Sequence, residues 1–412
     1  MIHEMREKYN LIKELEEVSK KLVGKERLSL AGQNDFSGGD NTMRGTMNGK
    51  HNTQHLALEK PEFPFLYDGK ENVRGEFSSF YTKTKRRETV IAICKKYDER
   101  LKGKVNFALL FTHCPDDDSY HVYERKEVEN LTENYGFSYN NSFIDQCEVG
   151  EMIPADTVLS KPTSYDETMN ASVGVNGRIM YTVHPALQDD AIIVSESFAK
   201  RMVANEITTK TIPINDNTIL LNKYGDDVCY QGLPDIGDII EDGIVAVTRT
   251  VKESRMFSDL RDASLKNPNH QSDTVFYCTG GSEVIDIKIY QNKVDPKVNK
   301  VTKQYLSYYT DAKWFYSKVY RTCKEIVKSG SKHIDQNIHR WMRQAMNYLD
   351  DQAKWAFNDN IFSNCIIELL LRKREPLKVG RKITGRHGTI AWGPCKNRLI
   401  AGSRLEPVRT AA

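Results

Sequence analysis

Residues 89–94 read Thr-Val-Ile-Ala-Ile-Cys and residues 105–112 read Val-Asn-Phe-Ala-Leu-Leu-Phe-Thr, and these two apolar runs indicate the fold class. Each is short, rich in β-branched and aromatic residues and bounded by turn residues, which is typical of strands. Because such runs recur without βαβ order, they predict mixed and antiparallel sheets in an α+β protein rather than a doubly wound domain. The further predicted strands are Arg178–Val183, Ala191–Val194, Ile239–Val247, Val275–Cys278 and Val284–Tyr290.

Helical patterns flank this β-rich part of the chain. Residues 1–29 have apolar residues at helical spacing, and residues 301–371 are predicted to be largely helical, with a break at Gly330 and Ser331. The side chains expected to pack in the core of the second region are Trp314, Phe315, Val319, Trp341, Ala345, Leu349, Ala353 and Phe357. The aromatic residues at 305–309 are expected to pack in the core or an interface rather than to stack on bases.

Composition narrows the class of protein. The chain has 412 residues, 39% hydrophobic and 28% charged, which is typical of a soluble globular protein with more than one domain. No run approaches the roughly 18 apolar residues of a membrane span, and residues 1–7 lack the apolar part of a secretory signal, so we expect a cytoplasmic protein. The net charge of +3 argues against a protein that binds DNA on its own. The eight cysteines form no Cys-x-x-Cys pair, which favours free thiols over a zinc ribbon.

A basic, glycine-rich segment runs from Lys378 to Gly388. Its glycines permit close backbone approach, and Lys382, Arg386 and His387 can donate to phosphate oxygens. The segment is therefore a candidate phosphate-facing loop, with a basic surface turn as the alternative interpretation.

Two adjacent acids, Asp189 and Asp190, precede the apolar run 191–194. One carboxylate at such an edge can help to place a metal-bound phosphate, although Mg²⁺ usually needs one or two carboxylates together with substrate oxygens and waters. The alternative is an ordinary loop end with solvated acids.

A third candidate is the glycine-rich stretch 30–56, which carries Asp40, Arg44, Lys50, His51 and Gln54 and is either a ligand-binding loop or a flexible linker. In contrast, His113, Cys114 and Asp116–Asp118 fall on one predicted turn, where a solvated loop is favoured over a metal site.

Several of these segments, in this order, resemble motifs of the second-largest (β) subunit of multi-subunit DNA-directed RNA polymerases. The segment Asp40–Met47 with Gln54 is similar to the family's fork loop, and Gln188–Glu196 is similar to its Glu-Asp-Ser/Ala-Ile motif. Gly380–Gly388 resembles the family's Gly-Asp-Lys-x-x-Gly-Arg-His-Gly segment. The intervening segments that also resemble the family are Gly150–Leu159, Gly174–Arg178, Gly237–Ile240 and Gly281–Ile287.

The resemblance implies roles for particular residues. Arg44 would contact the triphosphate of the incoming nucleotide, with Lys50 and Gln54 as neighbours. Asp190, and less strongly Asp189, would lie near the second Mg²⁺. Lys382, with Arg386 and His387, would contact the RNA 3′ end or the initiating nucleotide.

The resemblance also implies a fold and partners. The fold would be multi-domain, with an incomplete double-psi-type hybrid-binding domain. Mg²⁺ would be held mainly by a β′-type subunit, and the other partners would be an N-terminal β fragment, DNA template, RNA transcript and nucleoside triphosphates, with no membrane. The implied regions are 1–69 (helix and fork loop), 70–250 (hybrid-binding), 251–300 (flap-like), 301–375 (helical), 376–388 (basic active-site loop) and 389–412 (a tail unlike the family).

The sequence also departs from the family pattern. Lys50 stands where an asparagine is usual, Asp189 where a glutamate is usual and Arg381 where an aspartate is usual. After Gly388 the family's second active-site lysine is missing. We expect a C-terminal fragment of a split β subunit, as in giant bacteriophages and hence in the host cytoplasm, with residues 389–412 as translated intron sequence. The alternatives are a non-catalytic polymerase-derived binding or assembly protein, a truncated split-gene product and, less favoured, a metal-dependent nuclease.

Overall fold

The computed structural model describes part of the chain, and every structural statement concerns that part. The described residues are 58–62, 80–102, 104–130, 135–165, 174–178, 193–226, 228–252, 265–269, 271–292, 300–331, 333–351, 355 and 363–379.

Strands make up most of the described secondary structure. In the first half of the chain they are β1 (Thr82–Lys83), β2 (Glu88–Lys95), β3 (Phe107–Cys114), β4 (Ser119–Lys126), β5 (Val128–Asn130), β6 (Tyr135–Asn140), β7 (Met152–Ile153) and β8 (Val158–Pro162). In the second half they are β9 (Val203–Ile214), β10 (Thr218–Leu220), β11 (Ile239–Ile240), β12 (Ile244–Thr250), β13 (Asp273–Tyr277), β14 (Ser282–Gln291), β15 (His333–Ile334) and β16 (Cys365–Pro376). The described helices are α1 (Ser142–Gln146), α2 (Glu196–Ala199), α3 (Lys303–Lys328) and α4 (Gln336–Leu349).

The largest sheet has eight strands in the order β1-β8-β6-β9-β16-β14-β11, with β5 paired to β6. Its centre is the antiparallel pair of β9 and β16, which stays in register from Val203 opposite Pro376 to Ile214 opposite Cys365. The apolar side chains of β16 are almost all buried because α3 covers one part of this sheet. The sheet therefore provides a long strand pair that ends at Val203 and Pro376.

A second sheet has five strands in the order β15-β4-β3-β2-β7 and packs against α3 and α4. Phe315 and Val319 of α3 and Ala345 of α4 are buried against this sheet, as predicted from their spacing. Between the helices, Gly330 has a φ of 77°, which glycine adopts without strain, and the predicted break lies there. A third sheet, β10-β12-β13, has three strands.

A buried ion pair joins the two larger sheets. Lys96 Nζ lies 2.9 Å from Asp286 Oδ1, and the two side chains are only 6% and 13% exposed. Burial lowers the pKa of Lys96 from its ordinary value, although the negative charge of Asp286 opposes that effect. Lys96 directly follows β2 and Asp286 lies in β14, so the pair links the sheet packed by α4 to the eight-stranded sheet.

The predicted α+β class with mixed and antiparallel sheets is confirmed at this coarse level: among the described strands, β15 and β4 pair in parallel and the other strand pairs are antiparallel. Predicted strands at 89–94, 105–112, 275–278 and 284–290 are found as β2, β3, β13 and β14. The predicted run 239–247 is divided into β11 and β12 by a turn at Gly243, where φ is 71°.

Some expectations are wrong. The predicted helical segment 301–375 ends in strand β16, because an apolar run of this length fits either a buried strand or a helix. Trp314 is 54% exposed rather than in the core, since Phe315 beside it occupies the buried face of α3. Ile193 and Val194 lie in irregular structure before α2 rather than in a strand. Ala353 and Phe357 lie outside the described residues.

The predicted boundary between residues 250 and 251 falls between β12 and β13, which pair with each other in the three-stranded sheet. None of the helices in the described part of the chain combines the length and apolarity that crossing a bilayer requires.

Buried tyrosines around α3 predict that the protein loses stability at alkaline pH. Burial raises the pKa of Tyr97, Tyr308 and Tyr348 well above the ordinary value, and that of Tyr316 to about 12. In the unfolded chain these hydroxyls titrate near pH ~10. Between those values the folded state binds more protons than the unfolded state, so the free energy of unfolding should fall with rising pH above about 10. Burial likewise raises the pKa of the Cys323 thiol to about 12, so the decline should begin with the thiols, from roughly pH 8.5. Urea unfolding measured across this range tests the expectation.

Tyr308→Phe should make that alkaline decline less steep, because Tyr308 is fully buried and contributes one of the raised pKa values. Tyr277→Phe is the matched control, since Tyr277 is 59% exposed. A free energy of unfolding that stays constant through the titration of tyrosine would contradict the prediction.

Candidate active-site region at the end of the β9–β16 pair

The side chains predicted to act in catalysis or binding lie outside the described residues. They are Arg44, Lys50, Gln54, Asp189, Asp190, Lys382, Arg386 and His387. The structure does describe the residues next to each of their segments in the chain: 58–62 after Gln54, 193–200 after Asp190 and 377–379 before Lys382.

These three flanking segments meet in one hydrophobic cluster. Leu58, Val175, Met202, Ala204 and Leu377 are buried there. The partly buried side chains packed against them are Tyr135, Val194, Phe198 and Ala199. We call these nine residues the motif-flank cluster. Burying one side chain such as Leu58 or Leu377 contributes roughly 1.5–3 kcal/mol, so the cluster holds the segments with substantial energy.

The end of the β9–β16 pair positions the cluster. Leu58 forms a bridge with Ala204, and the Glu59 amide donates to the Val203 carbonyl at 2.8 Å. From the other strand, the Leu377 amide donates to the Ala199 carbonyl at 3.3 Å. Residues far apart in sequence are thus fixed to the same two strand ends.

The short helix α2 explains how the segment after Asp190 enters the cluster. Ser195 is its N-cap, and the Ser195 hydroxyl accepts a hydrogen bond from the Phe198 amide at 3.3 Å. Capping of this kind satisfies an amide that the first turn leaves unpaired. The motif Val194-Ser195-Glu196 therefore ends the preceding segment and starts the helix that carries Phe198 into the cluster.

A set of polar contacts beside the cluster, which we call the polar clasp, joins Glu62 to Asn176 and to Arg201. The Glu62 carboxylate accepts hydrogen bonds from the Asn176 backbone amide at 3.1 Å and its side-chain amide at 3.3 Å, and it also pairs with Arg201. The Glu62 amide donates to the Gly174 carbonyl at 2.7 Å. Partial burial raises the pKa of Glu62, but the bonds from Arg201 and Asn176 outweigh this effect and leave it below the ordinary value.

A second group of charges surrounds the end of β16. Glu375 Oε1 lies 2.6 Å from Lys373 Nζ and 2.7 Å from Lys378 Nζ. Burial raises the pKa of Glu375, but the hydrogen bonds from these two lysines bring it below the ordinary value. Arg374 Nε lies 3.3 Å from Glu59 Oε1, which connects β16 to the segment after Gln54.

The clasp and the β16 charges were not anticipated from the sequence. Glu62 and Arg201 are 139 positions apart, and neither belongs to a recognisable local pattern. The only sequence signal near them was the glycine motif Gly174–Arg178.

Gly177 provides a test of the cluster. A Cβ atom at this position would lie 2.7 Å from Phe198 Cε2, whereas one at Gly174 would meet nothing within 4 Å. We expect Gly177→Ala to displace the Phe198 ring and to lower the free energy of unfolding by about 1–3 kcal/mol. Chemical denaturation is the measurement.

Gly174→Ala is the matched control in the same motif and should change stability much less. Equal effects of the two substitutions would show that the contact between Gly177 and Phe198 does not contribute to the cluster.

The predicted turn at His113 forms local contacts. His113 Nε2 lies 2.9 Å from Asp118 Oδ1, and Asp117 pairs with Arg86. Within the described ranges, no group of three or more His, Cys, Asp or Glu side chains is arranged to hold a metal ion.

Searches with the whole sequence found no matching family model and no similar curated protein.

Proposed function

We propose that this chain is part of the β subunit of a multi-subunit DNA-directed RNA polymerase and that it helps to position the nucleotide and the RNA 3′ end. The proposal combines the ordered motif resemblance with one structural observation. The segments flanking Gln54, Asp190 and Lys382 converge on the motif-flank cluster.

The length of the chain limits how far Gln54, Asp190 and Lys382 can lie from the flanking residues that pack in the cluster. A chain extends at most about 3.3–3.6 Å per residue, so Gln54 and Asp190 can lie no more than roughly 14 Å along the chain from Leu58 and Val194. By the same measure, Lys382 lies within roughly 18 Å of Leu377. The described structure is thus compatible with one ligand site that Gln54, Asp190 and Lys382 share. The proposed polymerase function requires such a site.

A second observation supports the flap-like region of the proposal. The segments Gly237–Ile240 and Gly281–Ile287 resemble the strands that lead to the flap, and they pair with each other. The Gly237 amide donates to the Val284 carbonyl at 2.8 Å, and the Val284 amide donates to the Asp238 carbonyl at 3.0 Å. The chain between these two segments includes β12 and β13. It leaves the eight-stranded sheet after β11 and rejoins it at β14, the strand that pairs with β11, as expected for a flap. We extend the proposal to a hybrid-binding domain in the preceding β-rich part.

The proposed reaction is nucleotidyl transfer, in which the RNA 3′-hydroxyl attacks the α-phosphate of a base-paired nucleoside triphosphate. Arg44 would bind the triphosphate, with Lys50 and Gln54 beside it. Lys382 would bind the RNA 3′ end, with Arg386 and His387 as further donors. Charge-assisted donors of this kind stabilise negative charge that develops in the transition state.

Mg²⁺, when bound, would neutralise charge on the attacking and leaving oxygens. The described carboxylates at the motif-flank cluster do not suit it as ligands, because Glu59, Glu62 and Glu375 are each paired with a basic side chain. We therefore assign the ion mainly to a β′-type partner, with Asp190, and more weakly Asp189, as this chain's contribution.

Affinity purification of the chain from its native cell tests the proposal. We expect β′-type chains and an N-terminal β fragment to co-purify, and the complex to incorporate nucleoside triphosphates into RNA on added DNA. A chain recovered without such partners and without RNA synthesis would contradict the proposed function.

A further inference from the structure

Four basic side chains form a row on the outward side of α3. They are exposed and recur every three or four residues, which places them on one face of the helix. We call this row the α3 basic face, and its members are Lys318, Arg321, Lys324 and Lys328. At about 1.5 Å of rise per residue, the row is roughly 15 Å long. Glu325 is the one acid among residues 318–328.

The positive charge of this part of the chain is local. Residues 317–343 contain seven lysines and arginines but two acids, although the net charge of the whole protein is only +3. A small net charge is therefore compatible with one surface that attracts polyanions.

Most of the α3 basic face has no negative partner within the protein. No acid in the described part of the chain pairs with Arg321, Lys324 or Lys328. In α2, by contrast, Lys200 pairs with Glu196 one turn away. Like charges one turn apart repel each other and destabilise a helix. A bound polyanion would relieve that repulsion.

The helix dipole explains part of this pattern. Lys328 lies in the last turn of α3, where the partial negative charge of the helix end stabilises a cation. That effect is confined to about one turn, whereas Lys318 and Arg321 lie about two to three turns before the end of the helix. The dipole therefore does not account for the first half of the α3 basic face.

An exposed aromatic ring continues the same row. Trp314 lies one turn before Lys318, and it is 54% exposed. Lys318 Nζ lies 5.7 Å from the centre of the Trp314 ring and donates a hydrogen bond to the Ile93 carbonyl at 3.0 Å. Positive charge and accessible aromatic surface thus lie side by side. Proteins that bind single-stranded nucleic acid combine these two features, because cations follow the backbone and bases stack on aromatic rings.

We propose that the α3 basic face binds the phosphates of a single-stranded nucleic acid and that Trp314 stacks on one of its bases. The bases of a duplex are stacked on one another inside the helix and do not reach such a ring. An acidic peptide would pair with the cations but does not present a flat ring at every step. A membrane surface requires an apolar helix face, and Trp314 is the only large apolar side chain exposed on α3.

Fluorescence anisotropy of a labelled oligo(dT) titrated with the full chain tests the proposal. We expect saturable binding at about 50 mM salt, tighter than that of a duplex of the same length. The duplex has the higher charge density, so a surface that acted by charge alone would prefer it. Binding that is as tight for the duplex, for an oligoglutamate of equal charge or for phosphatidylserine vesicles would overturn the proposal, as would no binding of oligo(dT).

Substitutions on α3 locate the binding. The triple variant Arg321→Gln/Lys324→Gln/Lys328→Gln should weaken binding of oligo(dT) at least about tenfold at low salt. It should also make the plot of log K against log salt concentration shallower by about 2, because each lost phosphate contact on a single strand removes roughly 0.7 from the slope. All three side chains are exposed, so urea unfolding should show no loss of stability.

The matched control removes the same charge elsewhere. Lys104→Gln/Lys252→Gln/Lys288→Gln alters three exposed lysines outside α3 and should bind oligo(dT) normally. Equal weakening by the two triple variants would show that net charge, and not the α3 basic face, controls binding, and would overturn the proposal.

Trp314→Ala tests the stacking. It should weaken binding of oligo(dT) at least about fivefold, since stacking of one base on an aromatic side chain contributes this much or more. Tyr277→Ala, which truncates another exposed ring, should have no effect. An unchanged affinity of Trp314→Ala for oligo(dT) would contradict the assignment of a base to this ring.

This inference does not depend on the proposed polymerase role, and one further variant separates the two. Lys382→Ala should leave binding of oligo(dT) to the α3 basic face unchanged. Binding that is lost in Lys382→Ala but retained in the α3 triple variant would belong to the proposed nucleotide site and would overturn the assignment to α3.

Discussion

Replacing Lys382 by alanine is expected to lower the rate of RNA synthesis by the assembled complex about 10²–10³-fold. In the proposed function, the Lys382 ammonium donates to oxygens at the RNA 3′ end or initiating nucleotide, where negative charge develops as the new bond forms. Losing such a donor should reduce kcat more than it raises the KM for nucleotide. Steady-state rates on a primed template give both quantities.

The control for this experiment is Lys85→Ala, which removes one positive charge from an exposed position near β2. Its rate should match that of the unmodified complex, and both variants should co-purify with the partner chains in normal amounts. RNA synthesis unaffected by Lys382→Ala would favour the alternative of a non-catalytic, polymerase-derived binding or assembly protein. Loss of assembly in Lys382→Ala would instead assign the residue a structural role.

The second large effect is expected at the buried ion pair of Lys96 and Asp286. Lys96→Met should lower the free energy of unfolding by about 3–5 kcal/mol, because the Asp286 carboxylate would stay almost buried without its cation. The hydrogen bond that Asp286 Oδ1 accepts from the Ile287 amide at 2.9 Å cannot replace that charge. Denaturant unfolding at neutral pH measures the change.

The double variant Lys96→Met/Asp286→Leu should recover most of that loss, since replacing both charges by apolar groups removes the uncompensated carboxylate. Lys200→Met is the matched control, because Lys200 pairs with Glu196 at the surface, where the two side chains are 69% and 82% exposed. That substitution should leave stability unchanged. A double variant as unstable as Lys96→Met would mean that packing rather than charge controls this position.

The fold class followed from the sequence because most of the runs predicted as strands are strands in the structure, although these runs account for only β2, β3 and β11–β14. The runs that became β2, β3 and β14 combine β-branched residues with flanking turns, so their periodicity is informative. The run that became β16 carries no such signal, since Ile366, Ile367, Leu369 and Leu371 are buried on both faces of the sheet and the run therefore shows no alternation of apolar and polar residues. Trp314 was misplaced because adjacent residues of a helix point about 100° apart, and only Phe315 faces the core.

The site was predictable only as separate segments. The motifs named Gln54, Asp190 and Lys382, but nothing local to them indicated that Leu58, Val194 and Leu377 would pack together. That arrangement depends on the long-range pairing of β9 with β16 and on the contact between Glu62 and Arg201. Contacts of this kind arise from tertiary structure, which no single stretch of sequence encodes.

The packing of Val175 and Val194 in the motif-flank cluster has a consequence for the entropy of ligand binding. Both ends of the segment between Arg178 and Ile193, which carries Asp189 and Asp190, are held at the motif-flank cluster. Bringing together the two ends of a chain segment of this length costs roughly 2 kcal/mol of conformational entropy. This entropy is lost when the chain folds and not when a ligand binds. A ligand that contacts the segment therefore binds more tightly than it would if the two ends were free.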